Sequence, residues 1–428
     1  MRILETDRDP VDEELAALSE QAGGPDEQVQ REVREIIADV RARGDAALLE
    51  LGKKFDSPLL ETLQVEEAEF DEAYAAISPD LLRAIQKARC NIEAYHRRQM
   101  ANSWVEMGEE ITRGLLVRPI DKVGLYAPAG LAPYPSTVLM TAVPAAVAGV
   151  KDVTICSPVQ KDGKMHGPML VAARECGVGR VFKVSGAQAV AAMAFGTSSV
   201  PKVDKIFGPG GAYVTEAKRQ VFGFVGVDKL AGPSDILVLA DETANPAYVA
   251  ADLISQAEHG PDSPCVLVTT SRRLADATLT EIRKQTETAA RKQYITKSLD
   301  TLGLVVIGHS LDECIDLANA FAPEHLEIAV AQPWEVLGKI RNAGTILLGN
   351  YSPVPLGDFA AGPNHTLPTG GTARFSSPLG VDDFVKKSGL LSCTQKALRE
   401  IAPTVLELAQ AEGFEAHANA IRIRLEDR

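Results

Sequence analysis

Between about residue 113 and residue 348, strand-like and helix-like segments alternate, and this alternation limits the folds that the chain can adopt. Short apolar runs such as Val153–Cys156 and Ile236–Ala240 have the length and composition of buried strands, whereas Ala212–Val221 has a helical pattern. Alternation at this spacing favours parallel sheets with helices on both faces. Two successive rounds, which meet near residue 233, predict an α/β fold with two similar doubly wound, incomplete Rossmann-like sheets.

The segments on either side of this alternation are interpreted as helical. Most of the first hundred residues repeat apolar side chains at helical spacing, and the chain beyond Val381 returns to that pattern. We therefore predict four parts: a helical N-terminal arm (1–22), a main α/β domain (23–122 with 234–378), a second α/β domain (123–233) and a helical C-terminal tail (379–428).

Charge and cysteine content restrict the partners and the cellular compartment. The formal net charge is −14, from 44 basic and 58 acidic residues, and no block of Lys and Arg stands out. A nucleic-acid surface needs clustered positive charge, so we expect no nucleic-acid partner. The six cysteines are scattered without a CxxC pair. This pattern indicates reduced thiols and a cytoplasmic location.

The stretch from Val123 to Val150 has no charged residue and was therefore considered as a membrane span. It contains four prolines and several glycines, which make it a poor spanning helix. We interpret it as a buried strand, a loop and a small-residue helix. The first nine residues are charged and lack the apolar core of a signal peptide, so no membrane partner is expected.

Gln256 and His259 lie near the end of a helix predicted over Pro246–His259, which Gly260 and Pro261 terminate. At a spacing of three, the two side chains lie on one helix face, where an amide oxygen and a neutral imidazole can share a metal ion. A polar last turn in which His259 interacts with the helix dipole is the better interpretation of these residues alone.

Small residues follow three predicted strands of the first round, at Tyr126–Gly130, Gly186–Gln188 and Gly208–Gly211. Doubly wound folds bind ligands at the carboxyl ends of their strands, and a glycine turn before a helix can present backbone N–H groups to a phosphate. The order of glycines is not the GxGxxG fingerprint. A tight turn without a ligand is an equally good interpretation.

A carboxylate accompanies a histidine in three other stretches, namely Glu324 with His325, Asp358 with His365, and Glu412 with His417. The first pair has the composition of an acid–base pair, although a packed histidine at a helix–strand junction explains it equally well. The second lies in a Gly- and Pro-rich loop of the kind that often has a function. The third pair alone reads as a solvated helical tail. A nitrogen and oxygen donor set that suits zinc, in a spacing too dispersed to establish a site, comprises Gln256, His259, Asp358 and His417.

Eight stretches occur in the same order as the motifs of the L-histidinol dehydrogenase family and resemble them. The similarity runs from Ile3 nearly to the C-terminus, and the stretches themselves begin at Val123. The stretches are Val123–Tyr126 with Tyr134–Met140, Gly186–Ala189, Phe207–Gly210, Ala231–Ser234, Gln256–His259, Pro323–Leu326, Asn364–Thr369 and Glu412–His417.

This resemblance implies a zinc-dependent, NAD-linked enzyme that oxidises L-histidinol to an aldehyde and then to L-histidine. By match to the motifs, Glu324 and His325 form the acid–base pair. The implied zinc ligands, which also contact the substrate together with His325, are Gln256, His259, Asp358 and His417. The further implied substrate contacts are Ser234, His365 and Glu412, and the implied NAD contacts are Tyr126, Gln188 and Gly211. The family also implies a homodimer in which Glu412 and His417 enter the partner subunit's site.

The sequence departs from the family pattern at three positions. Gly211 replaces Asn, Ala129 replaces Gly and Asp235 replaces Glu. One side-chain contact to NAD is therefore expected to be missing. Two alternatives stay open: a related zinc and NAD enzyme for another polar alcohol, such as a sulfonated diol, and a zinc hydrolase. His365 and Glu412 favour histidinol, because a sulfonate would need Arg or Lys.

Overall fold

The chain divides into two compact units in the computed structural model. The larger unit comprises Met1–Gln99 and Ile120–Phe384, and the smaller comprises Met100–Pro119 and Val385–Arg428. The boundary predicted between residues 22 and 23 lies outside the described residues. These described residues are 1–20, 26–129, 133–230 and 232–426.

The N-terminal region of the larger unit is mostly helical, as predicted. Ser78 accepts a hydrogen bond from the Leu81 N–H at 3.2 Å and precedes Pro79, so a new helix begins at Pro79. A strand of only four residues at the start of the chain was not predicted from the sequence. The elements are β1 (Arg2–Glu5), α1 (Val11–Glu20), α2 (Glu27–Arg43), α3 (Asp45–Phe55), α4 (Glu67–Ala76) and α5 (Pro79–Arg97).

The first βα round forms a five-stranded parallel sheet with the order β6-β5-β4-β7-β8. Helices α2 to α5 pack on it together with the helices of the round itself. The elements that follow α5 are β2 (Trp104–Glu106) and β3 (Ile111–Pro119) of the smaller unit, then β4 (Lys122–Tyr126), α6 (Pro135–Ala148), β5 (Asp152–Ser157), α7 (Gly167–Glu175), β6 (Val181–Lys183), α8 (Gly186–Phe195), β7 (Lys205–Phe207), α9 (Ala212–Val221) and β8 (Gly226–Val227).

The second round forms a six-stranded parallel sheet with the order β1-β11-β10-β9-β12-β13. A π-helical turn, Gly357–Ala361, continues directly from its last short helix. The elements of this round are β9 (Ile236–Ala240), α10 (Pro246–Ala257), β10 (Cys265–Thr269), α11 (Arg272–Thr286), α12 (Lys292–Thr301), β11 (Gly303–Ile307), α13 (Leu311–Phe321), β12 (His325–Ala329), α14 (Pro333–Leu337), β13 (Thr345–Leu348) and α15 (Val354–Leu356).

The two sheets have the same topology, which confirms the prediction of two similar doubly wound halves. In each round the strand order is third, second, first, fourth, fifth, and β1 adds an edge strand to the second sheet. Every residue of β9 is buried, and its side chains alternate between two apolar clusters on opposite faces of the sheet. Burial on both faces explains why the strand sequences are continuously apolar rather than alternating.

The smaller unit contains an antiparallel sheet with the order β14-β3-β2. Strand β14 (Val385–Cys393) replaces the beginning of the predicted helical tail, and helices α16 (Gln395–Ala411) and α17 (Glu415–Glu426) follow it as expected. Most of β14 is exposed and it contains two lysines, so it lacks the apolar run that marked the other strands.

The uncharged stretch from Val123 to Val150 folds as the sequence indicated. It supplies β4, a connection of which residues 130–132 are not described, and the small-residue helix α6, which contains Pro144. Within the described residues, the structure has no helix with the length and apolar composition needed to cross a membrane.

Candidate active site

The predicted acid–base pair lies at the amino end of the six-stranded sheet. His325 is the first residue of β12 and Glu324 directly precedes it, while Asp235 directly precedes the neighbouring strand β9. The strand register places His325 beside Ile236, so the three polar residues lie at one edge of two central strands. All three are buried.

Backbone and side-chain hydrogen bonds connect these residues. The Glu324 N–H donates to Asp235 Oδ1 at 2.7 Å, and the Asp235 N–H donates to Glu324 Oε2 at 3.0 Å. His325 Nδ1 lies 3.2 Å from the Asp235 carbonyl oxygen, which can only accept, so Nδ1 carries a proton. The opposite nitrogen, Nε2, lies 3.3 Å from Asp358 Oδ1.

The electrostatics of the pair follow from burial and proximity. Burial raises the pKa of Glu324 to about 8, with repulsion from Asp235 and Asp358 adding to the rise. Burial opposes the charged form of His325, but the carboxylates of Glu324 and Asp358 outweigh it and raise its pKa to about 9. The Glu324 Oε2 and His325 Nδ1 atoms are 3.6 Å apart. The Glu324–His325 pair therefore holds one proton readily, either on the imidazole beside a carboxylate or on the carboxyl group beside a neutral imidazole.

Asp358 and His365, which share one loop, lie in the same cluster. Asp358 lies in the π-helical turn that follows α15, and His325 lowers its pKa although burial acts in the opposite direction. His365 Nδ1 donates to the Asp358 carbonyl oxygen at 2.9 Å. Burial lowers the pKa of His365, and its Nε2 accepts a hydrogen bond from the Thr137 hydroxyl at 3.1 Å.

The helix that carries Gln256 ends earlier than predicted. Helix α10 stops at Ala257, so His259 lies in the turn beyond it, where its N–H donates to the Gln256 carbonyl at 3.1 Å. The glycine that follows at 260 belongs to this non-helical turn, which explains the shorter helix. Desolvation lowers the pKa of His259, while the charge of nearby Asp358 raises it.

The side-chain amide of Gln256 lacks hydrogen-bond partners in the part of the chain that the structure describes, although it is buried. The residue is fully buried, and neither its oxygen nor its nitrogen has a hydrogen-bond partner among the described residues. Leaving such an amide unpaired costs about 1–3 kcal/mol, which coordination would offset. An amide oxygen, the His259 imidazole and the Asp358 carboxylate are the types of donor that zinc accepts. The described part of the chain holds no group of three or more His, Cys, Asp or Glu arranged to bind a metal.

The other residues predicted to contact the substrate lie in two separate parts of the chain. Ser234 is half-buried and precedes Asp235 in the chain. Glu412 and His417 belong to the smaller unit, at the end of α16 and in α17, and both are exposed.

The predicted NAD contacts lie at the carboxyl end of the five-stranded sheet. The Tyr126 hydroxyl, at the end of β4, accepts a hydrogen bond from the Gly186 N–H at 3.1 Å. This bond joins two of the three small-residue turns, and Gln188 Nε2, in the second of them, donates to Ser185 Oγ at 3.1 Å. Beside them is a cavity of about 910 Å³, whose lining includes Glu32, Asp39, Lys54, Gly186, Gln188 and Tyr213.

The third turn begins where β7 meets Gly208. A side chain at Gly208 is impossible, because its φ is +110° and a Cβ would lie 2.0 Å from the Tyr126 carbonyl oxygen. Gly211 differs: it is exposed, has an extended backbone and has no atom within 4 Å of a Cβ position. The predicted Gly130 lies outside the described residues.

A buried carboxyl pair in the same half of the chain was not predicted from the sequence. Asp252 in α10 and Glu327 in β12 are 6% and 2% exposed, and they interact by a hydrogen bond. Burial and then repulsion from Asp252 raise the pKa of Glu327 to about 9. A signal was present, because each residue interrupts an otherwise apolar run, and such residues are seldom buried without a partner.

Comparison with known proteins gives one consistent family. A family profile described as histidinol dehydrogenase matches residues 20–425. Histidinol dehydrogenases from Clostridium acetobutylicum and Halalkalibacterium halodurans are 49% and 51% identical to this chain, with 95% and 93% of it covered. The alignments cover 95% and 94% of those relatives.

A solved structure agrees with these relatives. The crystal structure of histidinol dehydrogenase from Elizabethkingia anophelis is 39% identical, covers 100% of this chain and 98% of its own, and superposes with a TM-score of 0.94. The whole fold is thus shared, together with about half of the sequence of the curated relatives. The chain belongs to the histidinol dehydrogenase family.

Proposed function

We propose that this chain is a zinc-dependent, NAD-linked dehydrogenase that oxidises L-histidinol, through L-histidinal, to L-histidine in the last steps of histidine biosynthesis. The observation that carries the proposal is the buried pair Glu324–His325, held against Asp358 at the amino ends of β9 and β12. Family membership supports the substrate, and NAD accepts a hydride in each of the two oxidations.

His325 is the proposed base for the alcohol. Its Nδ1–H donates to the Asp235 carbonyl, so Nε2 is the nitrogen that takes the hydroxyl proton, once it has released its own proton. The carboxylates of Glu324 and Asp358 stabilise the imidazolium that results. Oxidation of an alcohol requires this proton to leave as the hydride departs, so stabilisation of the imidazolium lowers the barrier.

Glu324 is the proposed base for water in the second oxidation. An aldehyde must become a hydrate before it can lose a second hydride, and a carboxylate beside it can take a proton from the attacking water. The raised pKa of Glu324, about 8, makes its carboxylate a stronger base than an exposed one. The two residues thus divide the proton transfers between the alcohol and the water.

Gln256, His259, Asp358 and His417 are the proposed zinc ligands. Zinc would orient the amino alcohol by binding its nitrogens and would limit the escape of the aldehyde. The unpaired amide of Gln256 supports this assignment. Ser234, His365 and Glu412 are the proposed further substrate contacts.

The NAD site is proposed at Tyr126, Gln188 and Gly211, with the neighbouring cavity taking part of the dinucleotide. The second α/β domain (123–233) would then serve the cofactor, and the main α/β domain (23–122 with 234–378) would carry the acid–base residues and most of the metal ligands. We also propose a cytoplasmic location, since the cysteines among the described residues are free.

The direct test follows NADH formation with L-histidinol, NAD and added zinc. The proposal expects two NADH per histidinol consumed, with L-histidine as product. Turnover of another polar alcohol, such as a sulfonated diol, without turnover of histidinol would identify a relative with different specificity. A chain that forms no NADH with any alcohol but hydrolyses an ester or amide would support the hydrolase alternative.

The proposed homodimer shares its sites through residues 379–428. Glu412 and His417 are exposed in the smaller unit, which is compatible with service in a partner subunit. We expect that inactive Gln256→Ala and His417→Ala chains, unfolded together and refolded as a mixture, regain up to about a quarter of native turnover, because half of the chains form mixed dimers with one intact site. Each variant refolded alone is the control. Mixed dimers that form without any gain in turnover would contradict shared sites.

The glycine at position 211 gives a further prediction. A Cβ at this position meets no atom within 4 Å, and the extended backbone and helix-cap position suit asparagine. Gly211→Asn should lower the KM for NAD about threefold, which corresponds to one added hydrogen bond of about 0.6 kcal/mol, with kcat unchanged. Gly211→Ala, which adds only a Cβ, is the control. An equal change in both variants would mean that the amide makes no contact with NAD.

A further inference from the structure

Asp235 and Glu324 occupy equivalent places on two neighbouring strands. Each directly precedes its strand, and each carboxylate accepts the backbone N–H of the other, at 2.7 and 3.0 Å. The Asp235 and Glu324 residues are 2% and 4% exposed. Two buried carboxyl groups in this position repel each other when both are charged, and the paired N–H groups, the Gly370 N–H and the charge of His325 offset part of this cost.

Asp235 accepts three further hydrogen bonds. Its Oδ2 accepts the Gly370 N–H at 3.3 Å. Its carbonyl oxygen accepts both the backbone N–H and the Nδ1–H of His325, at 3.3 and 3.2 Å. One residue therefore fixes the backbone of Glu324, one oxygen of the Glu324 carboxylate and the tautomer of His325.

We propose that Asp235 is a positioning residue for the acid–base pair, in which its side chain sets the orientation of Glu324 and its backbone carbonyl sets the tautomer of His325. The inference rests on the proposed function of Glu324 and His325. Orientation matters because a base must lie within hydrogen-bond distance of the proton that it removes. A misplacement of about 1 Å can lower the rate about 10²-fold.

The side chain and the backbone carbonyl of Asp235 have different proposed roles, and a substitution separates these roles. Substituting Asp235 removes its carboxylate but leaves its carbonyl, so Glu324 loses its constraint while His325 keeps its tautomer. Because Glu324 serves the hydration of the aldehyde, side-chain variants should impair the oxidation of L-histidinal more than that of L-histidinol. A residue with a merely structural role would affect both oxidations equally.

The experiment compares NADH formation from L-histidinol and from L-histidinal in zinc-loaded native, Asp235→Asn and Asp235→Glu enzymes. Asparagine keeps one acceptor oxygen but turns an amide towards the Gly370 N–H or the Glu324 N–H. We expect kcat for histidinal to fall about 10-fold in Asp235→Asn and about threefold in Asp235→Glu, which keeps the charge but shifts it by one methylene. Both KM values, and the single-turnover rate of the first hydride transfer from histidinol, should stay within about twofold of native.

Ser298→Ala is the matched stability control. It removes a buried hydrogen bond from Ser298 Oγ to the Ser263 carbonyl, at 2.6 Å, in the same half of the chain. It should lower the melting temperature and leave both oxidations unchanged. Equal losses in the two oxidations for Asp235→Asn, or native rates in both Asp235 variants, would overturn the inference. If Asp235→Asn does not fold, Asp235→Glu carries the same comparison.

Glu324→Gln separates this inference from the proposed function. If Glu324→Gln oxidises histidinal at the native rate, the role proposed for Glu324 is wrong. If Glu324→Gln is impaired while both Asp235 variants are not, the function stands and only the positioning role of Asp235 fails.

Discussion

Replacing His325 with asparagine should lower kcat for L-histidinol oxidation about 10³-fold, because a positioned acid–base group contributes about 10²–10⁴ in rate. The substitution removes the Nε2 atom that lies 3.3 Å from Asp358 and is the proposed acceptor of the hydroxyl proton. None of the proposed zinc ligands is changed, so zinc content by metal analysis and the KM for NAD should remain near native. The measurement is single-turnover NADH formation with saturating substrate.

His309→Asn is the matched control for this prediction. His309 is exposed in the connection between β11 and α13, so its replacement should leave the rate unchanged. If His325→Asn loses its zinc, the residue holds the metal and the roles have been misassigned. A rate within about 10-fold of native would show that another group takes the proton.

Replacing Glu327 with glutamine should stabilise the protein by about 1–3 kcal/mol near pH 8, and this gain should shrink towards pH 5. The pKa of Glu327 is raised to about 9 by burial and by Asp252, whereas the unfolded side chain titrates near 4.3. Below about pH 4 both states hold the proton, so folding has no cost from this group. As pH rises from there towards 9, the unfolded state gives up its proton and the folded state keeps it, so the native chain loses stability.

The measurement is the midpoint of urea unfolding for native and variant protein at several pH values, with the denaturant slope compared. Glutamine cannot ionise and can still donate to Asp252, so its stability should depend less on pH. Glu335→Gln, at an exposed position of α14, is the control and should follow the native curve. A difference between native protein and Glu327→Gln that is the same at every pH would contradict a shared proton.

The sequence could predict the sheets because their signal is local and repeated. Runs such as Ile236–Ala240 are buried on both faces, so each strand is recognisable by composition alone. Strands β1 and β14 were missed for the opposite reason. Arg2–Glu5 is a four-residue edge strand and Val385–Cys393 is largely exposed, so pairing with a distant strand, and not a local pattern, makes them strands.

The candidate site, too, could be predicted only in part from the sequence. The ordered motifs supplied the residues, and the structure groups Glu324, His325, Asp358 and His365 by hydrogen bonds and proximity. The small-residue turns indicated the carboxyl ends of strands as the place for a ligand. The acid–base pair lies instead at amino ends, because residues that directly precede β9 and β12 meet there. Adjacency of strands far apart in the chain is not visible in a single sequence.

Asp235 illustrates what a motif comparison leaves out. It first appeared as a departure from the family pattern, Asp in place of Glu, with no role attached. Its importance comes from an exchange of hydrogen bonds with a residue 89 positions later in the chain. Neither partner's local sequence indicates this exchange, since both lie outside regular helices and strands.

The pairing of β1 with β11 has a consequence for how the protein is made. Strand β11, Gly303–Ile307, is uncharged and rich in β-branched residues, and β1 covers one of its edges from Arg2↔Leu304 to Glu5↔Ile307. The ribosome delivers β1 first, but its partner strand emerges only after most of the chain has been synthesised. Until the two meet, β11 presents an open apolar edge of the kind that recruits other chains. Removal of β1 would therefore leave this edge of β11 uncovered and would favour aggregation during expression.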